Sequence, residues 1–388
     1  MRSIMRRRLG LYLAFPSHGV KEEEMSSPMN QARVLVIGAG VSGLTTALCL
    51  RQKGFAVTVV AERFAPQIVS VVAGALWEWP PAVCGFHQDQ RSLERSKQWC
   101  MTSYEKFFEL SADEQTGVFI RPVNFYFRYE IQTNPRSLHK MEEIQSHVKG
   151  FRHDPALITE HQINRNIGLK DAYRHLAPMI DTDAYMSWLL AQVQEAGCVV
   201  LTERINGDLR EQERQLKRKF GVEAIVNCSG LGARELAKDD MFPLRGALIR
   251  VKNDGSSMPR VTEAHTVPHE TGDQQDLVFI VPRGKNMLLL GGLTEPNQWS
   301  HDISLENYRP IQDMLERCVE FMPTLKQAHF DPKETVRVGL RPLRKDNVRL
   351  EREPGTNIIH NYGHGGSGVT FSWGCAGEIA EAMPAILN

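Results

Sequence analysis

Residues 33–62 read RVLVIGAGVSGLTTALCLRQKGFAVTVVAE, and this stretch spells out strand, glycine turn, helix and strand as one unit. Val34, Leu35, Val36 and Ile37 form an unbroken apolar run, the pattern of a parallel strand buried on both faces. Gly38, Gly40 and Gly43 then fit GxGxxG. The first glycine permits a tight turn, the second lets the backbone approach a pyrophosphate, and the third lets the next helix lie on the strand. Ala39, Val41 and Ser42 complete that cradle, and Ser42 opens a helix whose unpaired N–H groups and positive dipole end face the phosphates. Gly54 ends the helix and Ala56 to Val60 make the second strand. Glu62 follows 19 residues after Gly43, the spacing at which a carboxylate meets an adenosine ribose, with Arg63 beside it. A bare GxGxxG is weak evidence; the complete strand–turn–helix–strand–acid order reads as dinucleotide binding.

At 388 residues the chain exceeds one ordinary core, so two connected domains are expected. Its 42% hydrophobic and 24% charged residues describe a globular protein. Lys plus Arg and Asp plus Glu both number 46, which leaves no basic excess to hold nucleic acid. The 7 cysteines include no CxxC pair and read as reduced thiols in a cytoplasmic protein. Residues 1–30 begin MRSIMRRRLGLYLAF and are expected to be a disordered extension, or to lie upstream of a start at Met25 or Met29. No later run reaches about 18 apolar residues, so no membrane helix is expected.

Residues 64–81, FAPQIVSVVAGALWEWPP, offer small residues followed by two tryptophans. Ala73 and Gly74 would let backbone approach a flat ring, and Trp77 and Trp79 suit either a pocket wall or a core. Glu78 between them needs a partner. A helix over 90–112 and strands over 117–120 and 123–129 open a second domain, and polar helical segments fill 137–166. The chain then returns to the first domain near Ala177. Asp181, Thr182 and Asp183 start a helix that Gly197 stops. A strand over 198–201 follows, and GVEAIVNCSG at 221–230 is another, opening into Ser229 and Gly230. Strands over 246–251, 277–281 and 286–290 are antiparallel, with Arg283-Gly284-Lys285 as a hairpin turn. Residues 252–275 read as an exposed loop or a lid, and a helix spans 305–321. The last 55 residues hold a strand pair over 338–353, then a strand, the glycine loop Gly365-Gly366-Ser367-Gly368, and a helix. Those glycines prevent His360 and His364 from sharing a helix face, so no metal site is expected.

HNYGHGGSGVTFSWGCA (360–376), with VGLRPLR, VRLERE, VIGAGVSGLTTAL and IVNCSG, resembles the D-amino-acid oxidases and D-aspartate oxidases. The resemblance implies an α/β fold: a Rossmann-like FAD-binding domain from 31–85, 178–243 and 335–388, and a substrate domain from 86–177 and 244–334 built on a curved antiparallel sheet. It implies noncovalent FAD and oxidation of an amino acid or related amine to an imine, with molecular oxygen reduced to hydrogen peroxide. By the same resemblance Arg341 clamps the substrate carboxylate, Gly366 turns its carbonyl to the substrate amine, and Thr370, beyond Val369, contacts the flavin ring. The chain departs from the family where Phe279, Gln275 and Ser367 replace tyrosines and Glu78 replaces a glutamine. A pocket that loses hydroxyls and gains a carboxylate suggests a substrate other than a standard D-amino acid. A flavin dehydrogenase, a specialised biosynthetic oxidase or a noncatalytic FAD-binding protein stays open, as does a homodimer.

Overall fold

Two sheets organise the computed structural model, which describes residues 31–81, 87–268 and 276–387. The first has six strands in the order Arg349–Arg352, Ile358–Tyr362, Ala224–Asn227, Arg33–Ile37, Ala56–Ala61, Val199–Thr202. All neighbours run parallel except Arg349–Arg352, which is antiparallel to Ile358–Tyr362. The Val41–Gln52 helix carries the chain from Arg33–Ile37 to one side, and Ala224–Asn227 later pairs on the other. Strand order therefore reverses at the first strand, and ligands of open α/β sheets bind in the crevice beyond such a point.

The second sheet runs Glu295–Pro296, Met241–Lys252, Met287–Gly291, Val278–Arg283, Ala264–Val267, Val118–Phe127, Asp171–Ile180, Arg152–His153, and Val336–Arg344 pairs with Met241–Lys252 off this path. It is antiparallel apart from the parallel contact of Val118–Phe127 with Ala264–Val267. One face, carrying Tyr126, Ile249, Ile280 and Leu288, shares a core with Ile311, Met314 and Cys318 of the Arg309–Phe321 helix. Phe125, Tyr173 and Val281 from the other face join the large core that also holds Val34, Val36 and Leu44.

Several expectations change here. The strand pieces at 117–120 and 123–129 are one strand, Val118–Phe127, paired along its whole length with Asp171–Ile180. That partner was missed because DAYRHLAPMI, buried along most of its length, shows no clean alternation. Residues 252–275 are not simply a loop: Ala264–Val267 is a buried strand between two others. Gln275 and residues 1–30 lie outside the described residues. The helix expected from 305 begins at Arg309, with Pro310 in its first turn. Leu209–Phe220 is a helix that composition concealed, because only Leu209 and Leu216 are buried. Trp77 and Trp79 are core residues: their indole N–H groups donate to the Cys100 carbonyl (3.0 Å) and to Glu143 Oε2 (2.9 Å).

Candidate active site

A cavity of about 720 Å³ opens at the point of strand-order reversal. Its near end is made by residues 38–42, and the glycines there are fixed by contact. Gly38 has φ +111°, and a Cβ on it would stand 2.5 Å from the Cys228 carbonyl oxygen. A Cβ on Gly43 would lie 1.9 Å from the Gly38 carbonyl oxygen, so this glycine lets the helix sit on the turn and does not itself line the cavity. The Val41 N–H donates to Ser70 Oγ at 2.9 Å, which adds a cavity residue that no sequence motif marks. Glu62 and Arg63 both line the cavity, and Glu62 Oε1 stands 3.6 Å from Arg63 Nη2 and 3.7 Å from Arg204 Nη1. Ser229 and Gly230 face them from the Ala224–Asn227 strand end, and the buried Ser229 hydroxyl has no hydrogen-bond partner among the described residues.

Ala73, Gly74, Gly365, Gly366, Gly368, Val369 and Arg341 form the far end. The chain reaches it through Ile358–Tyr362 and a 3-10 turn at Gly365–Ser367, after which a helix spans Gly368–Leu387. Helix N–H groups and the dipole thus meet the cavity at a second place. Ser367 and Thr370 are buried beside this wall and do not line it. His364 is held by Asn361 Oδ1 at 3.0 Å and His360 by Glu353 Oε2 at 3.0 Å. Among the described residues no cluster of three His, Cys, Asp or Glu could hold a metal.

Among the described residues, Arg341 carries the only charge at this end of the cavity. Its guanidinium lies against Gly246, where a Cβ would stand 2.3 Å from Nη1, and Nη1 donates to the Leu293 carbonyl at 3.3 Å. Burial alone pushes its pKa down to about 10, with no acid opposing the shift, so it remains cationic at neutral pH and unmatched by a carboxylate of the described residues. A half-buried cation facing a cavity without a counter-charge invites a ligand that supplies the anion.

Two expected pocket residues stand elsewhere. Phe279 does not line the cavity; its ring leans on Gly74 of the wall, where a Cβ would meet its Cζ at 2.7 Å. Glu78 also lies outside the cavity and points toward Lys140, whose Nζ is 3.8 Å from Oε1. The lysine answers the carboxylate's need for a partner from within the chain. Sequence reasoning also missed Trp299, which lines the cavity although 47% exposed, with Arg234 Cζ 5.1 Å from its ring.

Two glycine turns aimed at one crevice, an acid at the ribose spacing, a buried unpaired hydroxyl and a second helix start fit a bound flavin dinucleotide, which defines the class as dinucleotide-binding oxidoreductases of two-sheet architecture. The family model described as FAD dependent oxidoreductase matches residues 33–382, and the chain belongs to that family, with FAD as its cofactor. The D-amino-acid oxidase of Rubrobacter xylanophilus is 35% identical over 92% of this chain and 97% of its own. Human D-aspartate oxidase is 30% identical over 92% of this chain and 95% of its own. Among solved structures, glycine oxidase from Geobacillus kaustophilus superposes with a TM-score of 0.72 at 16% identity, covering 92% of this chain and 95% of its own.

Proposed function

We propose that this chain oxidises an amino acid to the imine, which water converts to a 2-oxo acid and ammonia, with molecular oxygen taking the electrons to form hydrogen peroxide. The observation that carries this reading is Arg341: a half-buried guanidinium, unmatched by a carboxylate of the described residues, in the same cavity as the dinucleotide cradle. Its planar donor fork suits a carboxylate. The named activities of the two relatives, both oxidations of amino acids, support the same reading. FAD, when bound, supplies the hydride acceptor for the C–H next to the amine.

The protein's own share is placement. Arg341 fixes the carboxylate, and Gly366, exposed on the cavity wall, offers a backbone carbonyl to the amine. Holding both ends of a small amino acid aligns its α-hydrogen without a dedicated protein base, provided the amine is bound neutral. Phe279 presents no hydroxyl to share the carboxylate, and among the described residues Arg341 is the charged group at that end of the cavity. The free cysteines of the described residues, mostly buried, support a reducing cytoplasmic location. The test is anaerobic titration of the yellow protein with a panel of D-, L- and N-substituted amino acids. Bleaching by at least one is the expected result, and a flavin that none of them reduces defeats the proposal.

A further inference from the structure

A buried arginine stands behind the cavity wall. Arg283 is 5% exposed and closes the Val278–Arg283 strand. Its Nη1 donates to Thr182 Oγ1 at 2.6 Å, and its Nη2 donates to the carbonyls of Ala73 and, at 3.3 Å, Gly74. Thr182 in turn donates to the Val71 carbonyl at 2.6 Å, which also accepts from Arg337 Nη1 at 3.1 Å. The Ala75 carbonyl accepts from the Ile180 N–H at 3.0 Å. The carbonyls of residues 71, 73, 74 and 75 are therefore all held by the protein.

A trans peptide points its N–H opposite to its carbonyl. With the Ala73 and Gly74 carbonyls turned to Arg283, the N–H groups of Gly74 and Ala75 point the other way. Neither meets an acceptor among the described residues. Ala75 has φ +50°, a left-handed conformation costly for a side-chain-bearing residue, so this backbone course is imposed by its surroundings. Among the described residues no carboxylate forms an ion pair with Arg283. Burial pushes its pKa down to about 10, with Asp181 and Asp183 partly offsetting this, and it stays charged at neutral pH. Hydrophobic packing would support a loop at lower desolvation cost.

We propose that Arg283 is a positioning residue: together with Thr182 it sets the 73–74 and 74–75 peptide planes so that the N–H groups of Gly74 and Ala75 are presented to the flavin, and it fixes Gly74 as the surface on which Phe279 closes. This rests on the cavity holding FAD and is independent of which amino acid is oxidised. The test compares Arg283→Met and Arg283→Lys for FAD dissociation constant, flavin-region circular dichroism, flavin midpoint potential and thermal midpoint of the apoprotein. Arg283→Met should weaken FAD binding about tenfold or more, the scale of lost charged hydrogen bonds. It should also alter the flavin dichroism and move the potential negative. Arg283→Lys, which keeps the cation without the fork, should restore the potential more than the dichroism. A purely structural arginine would lower the apoprotein midpoint and leave all three flavin readouts at wild-type values, and that result overturns the proposal. If Arg283→Met does not fold, Thr182→Val keeps the cation and must still change the dichroism and weaken FAD; unchanged values there overturn it equally. All these readouts stand even if no amino acid bleaches the flavin, so the two proposals fail separately.

Discussion

Arg341 and Glu78 were both sequence candidates, and their surroundings separate them. Arg341 has a backbone carbonyl and no acid, whereas Glu78 has Lys140. Arg341→Ala should retain FAD but weaken carboxylate binding by roughly 3 kcal/mol or more, the scale of a charge-assisted pair. Stopped-flow reduction across substrate concentrations reads this as a rise in the half-saturating concentration, and unchanged saturation would mean that the substrate meets Arg341 through no carboxylate. Glu78→Gln should leave the ranking of acidic, neutral and basic amino acids as it is in the wild type, because the carboxylate faces a lysine outside the cavity. A relaxed ranking would return Glu78 to the pocket.

Among the elements, the turn from Arg33–Ile37 into the Val41–Gln52 helix is the least tolerant. A methyl at Gly43 would overlap the Gly38 carbonyl oxygen, and both atoms belong to backbone that cannot swing aside. Gly43→Ala should therefore destabilise the fold by about 1–3 kcal/mol, the usual cost of overpacking, and distort the cradle. A flavin-to-protein ratio after purification well below that of the wild type, with a lowered thermal midpoint, is the expected outcome. Full flavin content would show that the helix can shift without harm. The Gly368–Leu387 helix has a similar close contact, since a Cβ on Gly374 would meet the Trp99 backbone at 2.2 Å. That contact fixes the helix whose start borders the flavin end of the cavity.

For the whole molecule, buried histidines set the acid side of the stability curve. Burial pushes His175 and His364 down to about 4 and His265 to about 3, so each is neutral in the folded protein at mildly acidic pH. The unfolded chain binds protons near the ordinary histidine value, above these folded values. Below about pH 6.5 the unfolded state therefore holds more protons, and stability must fall as pH drops toward 4. By pH 4 the loss reaches at most about 3 kcal/mol per histidine. His175→Phe, in a site stacked on Phe125, should flatten the thermal midpoint between pH 6.5 and 4 relative to the wild type. An identical slope would remove His175 from the account. Asp239 acts in a lower range: burial opposes its ionisation, but Tyr362 and Arg344, aided by Arg349, hold it below the usual carboxylate value. Its contribution is present at neutral pH and disappears as pH falls through that depressed value.

The glycine cradle, the acid after the second strand, the Ser229–Gly230 turn and the C-terminal glycine loop were legible in the chain by itself, because a strand-to-helix turn needs its glycines at fixed offsets and local chemistry cannot substitute for them. Buried strands with unbroken apolar runs, such as Arg33–Ile37 and Ala224–Asn227, were legible for the same reason. Asp171–Ile180 and Ala264–Val267 were not: each is short of periodic signal and becomes a strand only because neighbours pair on both sides. Side-chain direction was the other thing only the tertiary structure decided. Glu78 turns to Lys140, Phe279 lies on Gly74, and Arg283 reaches across to the Ala73 and Gly74 carbonyls, some 210 positions earlier in the chain. Such pairings depend on which surfaces two distant segments present to each other, and no local spacing encodes them.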